Sequence, residues 1–132
     1  MDEQLSFLGL ARRAGKLAAG EDAVQAALQA GKARLLILAA DAGEKTVRWA
    51  EHRSQGRLPI AYLTSSRDDL GHALGWGRCA VAAFTDLGMA TAYAGKLARA
   101  DARHAAVLEA LEEKSRAIAA RRAAKPRRRH ER

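Results

Sequence analysis

Apolar residues along the first hundred positions follow two alternating kinds of spacing. Recurrence every three or four positions predicts amphipathic helices at residues 2–13, 21–30, 44–53, about 65–74 and 86–97. Unbroken apolar runs predict short strands, covered on both faces, at residues 34–39, 59–63 and 79–84. Residues 16–19 are expected to form a short extended connector. Because helices and buried strands alternate, the predicted fold class is α/β, a three-layer α/β/α sandwich with a small mixed sheet.

Residues that favour helix ends support these assignments. Gly31 is predicted to be a left-handed residue after the second helix, and Asp86 to cap the last one. Ser65 and Asp68 have the spacing of a capping box, so Ser65 is predicted to begin the helix that ends near residue 74.

The positive charge of the chain is concentrated near its C-terminus. The net charge is +8, of which +1 falls in residues 1–94 (11 Lys and Arg, 10 Asp and Glu) and +7 in residues 95–132 (12 and 5). Residues 98–124 are rich in helix formers and carry an apolar stripe of Val107, Leu108, Leu111 and Ile118, which predicts an exposed or loosely docked helix. Residues 125–132 are predicted to be disordered. We therefore divide the chain into a domain at 1–97 and a basic tail at 98–132.

Several protein classes do not fit the sequence. Cys79 is the only cysteine, which excludes an internal disulfide framework and a cysteine-based zinc site. The first residues are acidic, unlike a secretory signal, and the longest apolar runs have six residues, far fewer than a membrane span requires. We expect a cytoplasmic protein without membrane contact. The high pI of 10.4 favours nucleic acid as a partner.

Motifs for catalysis or cofactor binding receive little support. Residues 75–80 match the letters of a dinucleotide-binding G-x-G-x-x-A, but here the predicted helix precedes the glycines and the strand follows, the reverse of the required order. The four histidines share no metal-ligand spacing, and Asp68 and Asp69 are explained by helix capping. We expect no enzyme activity, no cofactor and no metal.

Two segments suit close contact with RNA. Gly20 allows the backbone to approach a partner at the start of the second helix, where amides are free, although spacing alone favours an ordinary helix entry. Trp76 lies between two glycines and two positions before Arg78. It is either an exposed residue on which a base stacks or a side chain that covers the core.

Ordered segments at residues 8–17, Gly20, 30–39 and 69–75 resemble the kink-turn RNA-binding superfamily of ribosomal proteins, of the L7Ae/L30e type, especially its small bacterial members. The resemblance covers about residues 4–97. It implies an α/β/α sandwich that binds structured RNA without cofactor or catalysis. In that family the start of the second helix enters a widened major groove beside sheared G·A pairs, and the loop before the last strand covers an extruded base.

The resemblance implies a set of RNA-binding residues in this chain. They are Lys16, Gly20, Glu21, Asp22, Gln25, Gly75, Trp76, Gly77 and Arg78. The chain departs from the family where an Asn–Glu pair would fall on Asp22 and Ala23, and a groove lysine on Ala26. An ionised Asp22 accepts hydrogen bonds but cannot donate them. The side chains of Ala23 and Ala26 can neither accept nor donate.

The function expected from the sequence is non-enzymatic binding of structured RNA, either a kink-turn RNA or ribosomal RNA, in association with the ribosome. The basic tail is expected to add nonspecific affinity. Two alternatives stay open at this point. One is a protein-interaction module that uses the sandwich and the tail stripe, and the other is the RNA-recognition subunit of a separate RNA-modifying enzyme.

Overall fold

The computed structural model describes residues 3–75 and 77–124. Within these residues the chain forms helices and strands in alternation. In order they are α1 (Glu3–Arg13), β1 (Leu17–Ala19), α2 (Glu21–Gln29), β2 (Leu35–Leu38), α3 (Glu44–Ser54), β3 (Ile60–Tyr62), α4 (Arg67–Leu74), β4 (Val81–Phe84), α5 (Leu87–Ala100) and α6 (Ala105–Ala124), with a 3-10 turn at Ala102–His104.

The four strands form one mixed sheet in the order β1-β4-β2-β3. β2 and β3 are parallel, whereas β4 is antiparallel to both of its neighbours. Phe84, at the end of β4, pairs with Leu17 on one side and Leu35 on the other. β1 and β2 therefore end where β4 begins. We call this the Gly20 end of the sheet, and the opposite one, where β4 finishes, the Thr85 end.

Alternate side chains of the sheet enter two separate apolar clusters. Leu35, Ile37 and Phe84 pack against α1, α4, α5 and α6. Leu36 and Leu38 face the other way and pack with Val24 of α2 and Ala50 of α3. Because β2 and β4 are buried along their whole length, they appear in the sequence as unbroken apolar runs. The predicted three-layer α/β/α sandwich with a mixed sheet is confirmed.

Two local predictions are wrong. The expected connector at residues 16–19 contains strand β1, which pairs with β4 over three residues. The cap of α4 is Ser66, whose Oγ accepts a hydrogen bond from the Asp69 N–H (3.1 Å), one position later than the predicted cap Ser65. The caps at Gly31 and Asp86 are confirmed, with φ +70° at Gly31 and a bond from the Met89 N–H to the Asp86 carboxylate (2.9 Å).

The C-terminal helix packs on the sandwich. α5 continues to Ala100, so the predicted division between residues 97 and 98 falls inside a helix. His104 lies near Leu97 and Ile118 lies near Leu87, so α6 runs antiparallel to α5. Leu111 is 2% exposed in the first cluster, with Val107 and Leu108 packed around it. The protein-interaction alternative required this apolar stripe to be free for a partner. Its first three residues, Val107, Leu108 and Leu111, instead pack against the core of this chain.

Two further predictions concern the C-terminal residues and membrane spans. The predicted disorder of residues 125–132 lies outside the described residues. No helix in the described part has the length and apolar character needed to cross a bilayer.

Candidate nucleic-acid interface

The start of α2 depends on the conformation of Gly20. Its φ and ψ of 90° and 160° lie in a region that is essentially restricted to glycine. The Gly20 N–H donates to the Val81 carbonyl (2.9 Å), and its own carbonyl accepts the first helical bond from Val24 (2.9 Å). No side chain caps this helix start. The amides of the first turn therefore point outward without a side chain in front of them.

The predicted base-contacting side chains differ in their accessibility. Glu21 and Asp22 are exposed and form no ion pair with any residue that the structure describes. Their position in the first turn suits the positive end of the helix dipole. Gln25 is half-buried, and its Oε1 is buried without a hydrogen-bond partner within the described ranges. A contact between Gln25 and RNA therefore requires the amide to turn outward.

The loop after α4 lies against that helix. Gly75 ends α4 in the left-handed conformation (φ 81°). A Cβ added at Gly71, within α4, would lie 2.7 Å from the Cα of Arg78 and 2.8 Å from the carbonyl oxygen of Gly77. The backbone of the loop therefore packs directly on α4, and Gly77 faces open space. Trp76, the predicted stacking residue, lies outside the described residues.

Hydrogen bonds join this loop to the start of α2. The Val81 carbonyl that accepts from Gly20 also accepts from the Cys79 thiol (3.2 Å), and the Cys79 N–H donates to the Arg67 carbonyl (3.0 Å). Burial raises the pKa of the Cys79 thiol, so it stays protonated and unreactive at neutral pH. Cys79 therefore has a structural role that links the two halves of the predicted interface.

The arginines at the Gly20 end form ion pairs. Arg78 Nε donates to Asp68 Oδ1 (2.8 Å), with both side chains about two-thirds exposed (66% and 68%). Arg67 lies with its Nε 3.6 Å from Asp41 Oδ2, and its backbone N–H donates to Asp41 Oδ1 (2.7 Å). That backbone bond is the main cause that lowers the pKa of Asp41 below its ordinary 3.8.

Asp41 and Arg67 are not among the residues predicted from the sequence to bind RNA. Asp41 follows β2 and Arg67 begins the helix after β3. Because β2 and β3 are parallel, the residues that follow them meet at one end of the sheet. This topological signal would have placed both residues beside the predicted interface.

Lys16 lies at the other end of the sheet. Its carbonyl accepts from the Thr85 N–H (2.9 Å), and its Nζ lies 3.9 Å from Asp86 Oδ1. The structure thus brings Gly20 together with Cys79, since both donate to the Val81 carbonyl, and it separates Lys16 from them by the length of β1.

The charges at the Gly20 end are mixed. Arg67 and Arg78 are paired with carboxylates, and Arg12 lies near the same loop, 3.8 Å from a Cβ placed at Gly75, whereas Glu21 and Asp22 form no ion pair with a described residue. Recognition by hydrogen bonding and shape therefore suits this end better than attraction by net charge. No group of three metal-ligating side chains occurs in the described ranges.

Comparisons with known proteins find one matching family, one relative and one similar structure. The model of the ribosomal protein L7Ae/L30e/S12e/Gadd45 family matches residues 3–92. The RNA-binding protein YlxQ of Bacillus subtilis (strain 168) is 33% identical over 88 residues, which cover 67% of this chain and 88% of that protein. A structure described as a protein with unknown function from Bacillus halodurans C matches with a TM-score of 0.66 and 33% identity, over 72% of this chain and 96% of that one.

Proposed function

The chain belongs to the ribosomal protein L7Ae/L30e/S12e/Gadd45 family, and from this premise we propose that it is a non-enzymatic RNA-binding protein. The Gly20 end is the proposed recognition surface for structured RNA, either a kink-turn RNA or a ribosomal RNA segment. We further propose that it works in the cytoplasm in association with ribosomes, without a cofactor. Its similarity to YlxQ, named as an RNA-binding protein, supports RNA as the partner class.

The observation that carries this proposal is the geometry of Gly20. A residue without a side chain, in a conformation reserved for glycine, holds the first turn of α2 beside the loop after α4. RNA can approach this backbone closely, and the outward amides can donate hydrogen bonds to it. Gly20 and Cys79 both donate to the Val81 carbonyl, which holds the helix start and the loop in a fixed arrangement. A fixed arrangement suits recognition of the shape of an RNA.

Exposed side chains at this end divide the contacts by chemistry. Asp22 accepts hydrogen bonds from the amino groups of guanine or cytosine. Ala23 stands where the family pattern has a glutamate, and Glu21 makes part of the contact that this glutamate would make. Arg78 contacts phosphate after it leaves Asp68. That exchange costs little, because an exposed ion pair contributes about 0.2–1 kcal/mol. In this proposal Lys16 contacts the RNA backbone only where the RNA extends along the side of the sheet.

Binding to three RNAs tests the proposal. The first contains a kink-turn, the second is the same RNA with its G·A pairs changed to Watson–Crick pairs, and the third is a plain duplex. We expect gel shifts at moderate salt to follow that order, with the kink-turn bound most tightly. Equal binding to all three would contradict shape recognition at the Gly20 end, and absence of binding even at low salt would contradict RNA binding itself.

A further inference from the structure

A groove of about 370 Å³ lies between the second half of α6 and the turn that joins β4 to α5. α6 contributes Ser115 and Arg122, the turn contributes Thr85 and Asp86, and Arg34 immediately precedes β2. The groove is at the Thr85 end of the sheet, away from the proposed recognition surface. The packing of Leu111 fixes α6 on the sandwich and so forms one wall of the groove.

Two arginines line this groove. Arg34 and Arg122 form no ion pair with any residue of the described part of the chain. Among the described residues that line the groove, the one carboxylate, Asp86, is already engaged: its Oδ2 accepts from the Met89 N–H (2.9 Å), and its Oδ1 lies 3.9 Å from Lys16 Nζ. The groove therefore holds two positive charges that nothing in the described structure neutralises.

Neutral hydrogen-bond donors accompany these charges. Ser115 and Thr85 are half-buried in the groove wall, and neither hydroxyl bonds to another residue that the structure describes. Guanidinium groups beside hydroxyls are the donor set that binds phosphate oxygens, since arginine presents paired N–H groups to them.

The two ends of the sheet differ in the charged side chains that form no ion pair with a described residue. Val81, at the start of β4, holds Gly20, and Phe84, at its end, accepts from the Arg34 N–H (2.7 Å). Three residues of strand separate these points by roughly 10 Å. Among the described residues that form no ion pair, Glu21 and Asp22 lie at the first end, and Arg34 and Arg122 lie at the second.

We infer that the groove between α6 and the β4–α5 turn is a second RNA contact, which binds the phosphodiester backbone through Arg34 and Arg122. This inference rests on the proposed function. RNA recognised by shape at the Gly20 end gains its charge-driven affinity at the Thr85 end. α6 therefore contributes a defined phosphate-binding site. The basic residues that follow it add nonspecific positive charge.

The salt dependence of RNA binding tests this inference. The variant is Arg34→Gln/Arg122→Gln, and the control Lys45→Gln/Arg48→Gln removes the same charge from exposed positions of α3. Fluorescence anisotropy gives the affinity of each full-length protein for the kink-turn RNA and for its Watson–Crick-paired version between 50 and 200 mM salt. Over this range a protein that contacts 6–10 phosphates loses about 10³–10⁵ in affinity.

Loss of two phosphate contacts reduces the slope of log affinity against log salt by about 1.5. We expect this reduction with both RNAs, an unchanged preference between them, and a control slope close to that of the wild type. A wild-type slope in the Arg34→Gln/Arg122→Gln protein, or an equal loss in the control, would overturn the groove while RNA binding stands. Failure of the wild-type protein to bind either RNA would overturn the proposed function and the groove together.

Discussion

Replacement of Gly71 by alanine tests whether the loop after α4 is held in place by direct backbone packing. The new Cβ would lie 2.7 Å from the Cα of Arg78, 2.8 Å from its N and 2.8 Å from the Gly77 carbonyl oxygen. Ordinary carbon contacts are about 3.5–4.0 Å. All three neighbours are backbone atoms, so no side chain can rotate away and the loop has to move by roughly 1 Å. Overpacking of this kind costs about 1–3 kcal/mol.

A matched substitution separates this clash from the effect of alanine on a helix. Alanine in place of glycine inside a helix stabilises it by about 1 kcal/mol. A Cβ at Gly95, within α5, would meet only the end of the Arg99 side chain at 3.6 Å, an ordinary contact. Gly95→Ala should therefore show the propensity gain alone. The difference in free energy of unfolding between the two variants should then be about 1–3 kcal/mol, with Gly71→Ala the less stable.

Urea denaturation followed by circular dichroism measures this difference directly. The same proteins can be titrated with the kink-turn RNA. We expect Gly71→Ala to bind more weakly, because the displaced residues 77–78 belong to the proposed recognition surface, and Gly95→Ala to bind as the wild type does. Equal free energies of unfolding for the two variants would refute the packing argument.

Three further predictions test other parts of the fold. Leu111→Ala should lower the free energy of unfolding by about 2–5 kcal/mol, because it opens a cavity where α6 meets the core; a loss below 0.5 kcal/mol in urea denaturation would mean that α6 does not dock. Ser66→Ala should cost about 1 kcal/mol through the lost cap of α4, whereas Ser65→Ala should cost little in the same assay; the reverse order would contradict the cap assignment. The Arg103 side chain holds the pKa of Asp101 at about 2, below its ordinary 3.8, so the stability that this carboxylate adds is present above pH 4 and disappears as the pH falls toward 2. The stability difference between wild type and Asp101→Asn should shrink over that range in thermal melts, and a constant difference from pH 7 to 2 would contradict it.

The layers of the fold were predictable because burial on both faces leaves a direct signal in the sequence. The runs that contain β2 and β4 are apolar throughout, and no amphipathic helix matches them. β1 was missed because it has only three residues, and its strand character depends on pairing with β4, which is distant in sequence. The choice between Ser65 and Ser66 as cap depends on where the backbone leaves β3, which local spacing does not encode.

The candidate site was predictable only in part. Gly20 was identified from its position before a helix, and its φ of 90° explains why glycine occupies it. The pairing of Arg78 with Asp68, and the place of Lys16 beside Asp86, required knowledge of how the sheet and α4 are arranged. The RNA contacts assigned to these residues remain predictions.

Substitution of Asp22 by asparagine tests recognition at the Gly20 end most directly. The change removes a carboxylate from the proposed RNA surface and adds the donor that the family pattern has at this position, without altering the packing of α2. Glu21→Gln serves as the control, because it removes the same charge from the neighbouring exposed position.

The measurement is the ratio of affinities for the kink-turn RNA and its Watson–Crick-paired version. One good base contact discriminates by about 1–3 kcal/mol, so we expect Asp22→Asn to raise this ratio by about tenfold. Glu21→Gln removes the same charge but keeps a hydrogen-bond acceptor, so it should raise both affinities and change the ratio less than Asp22→Asn does. An unchanged ratio in the Asp22→Asn protein would contradict recognition of structured RNA by the start of α2.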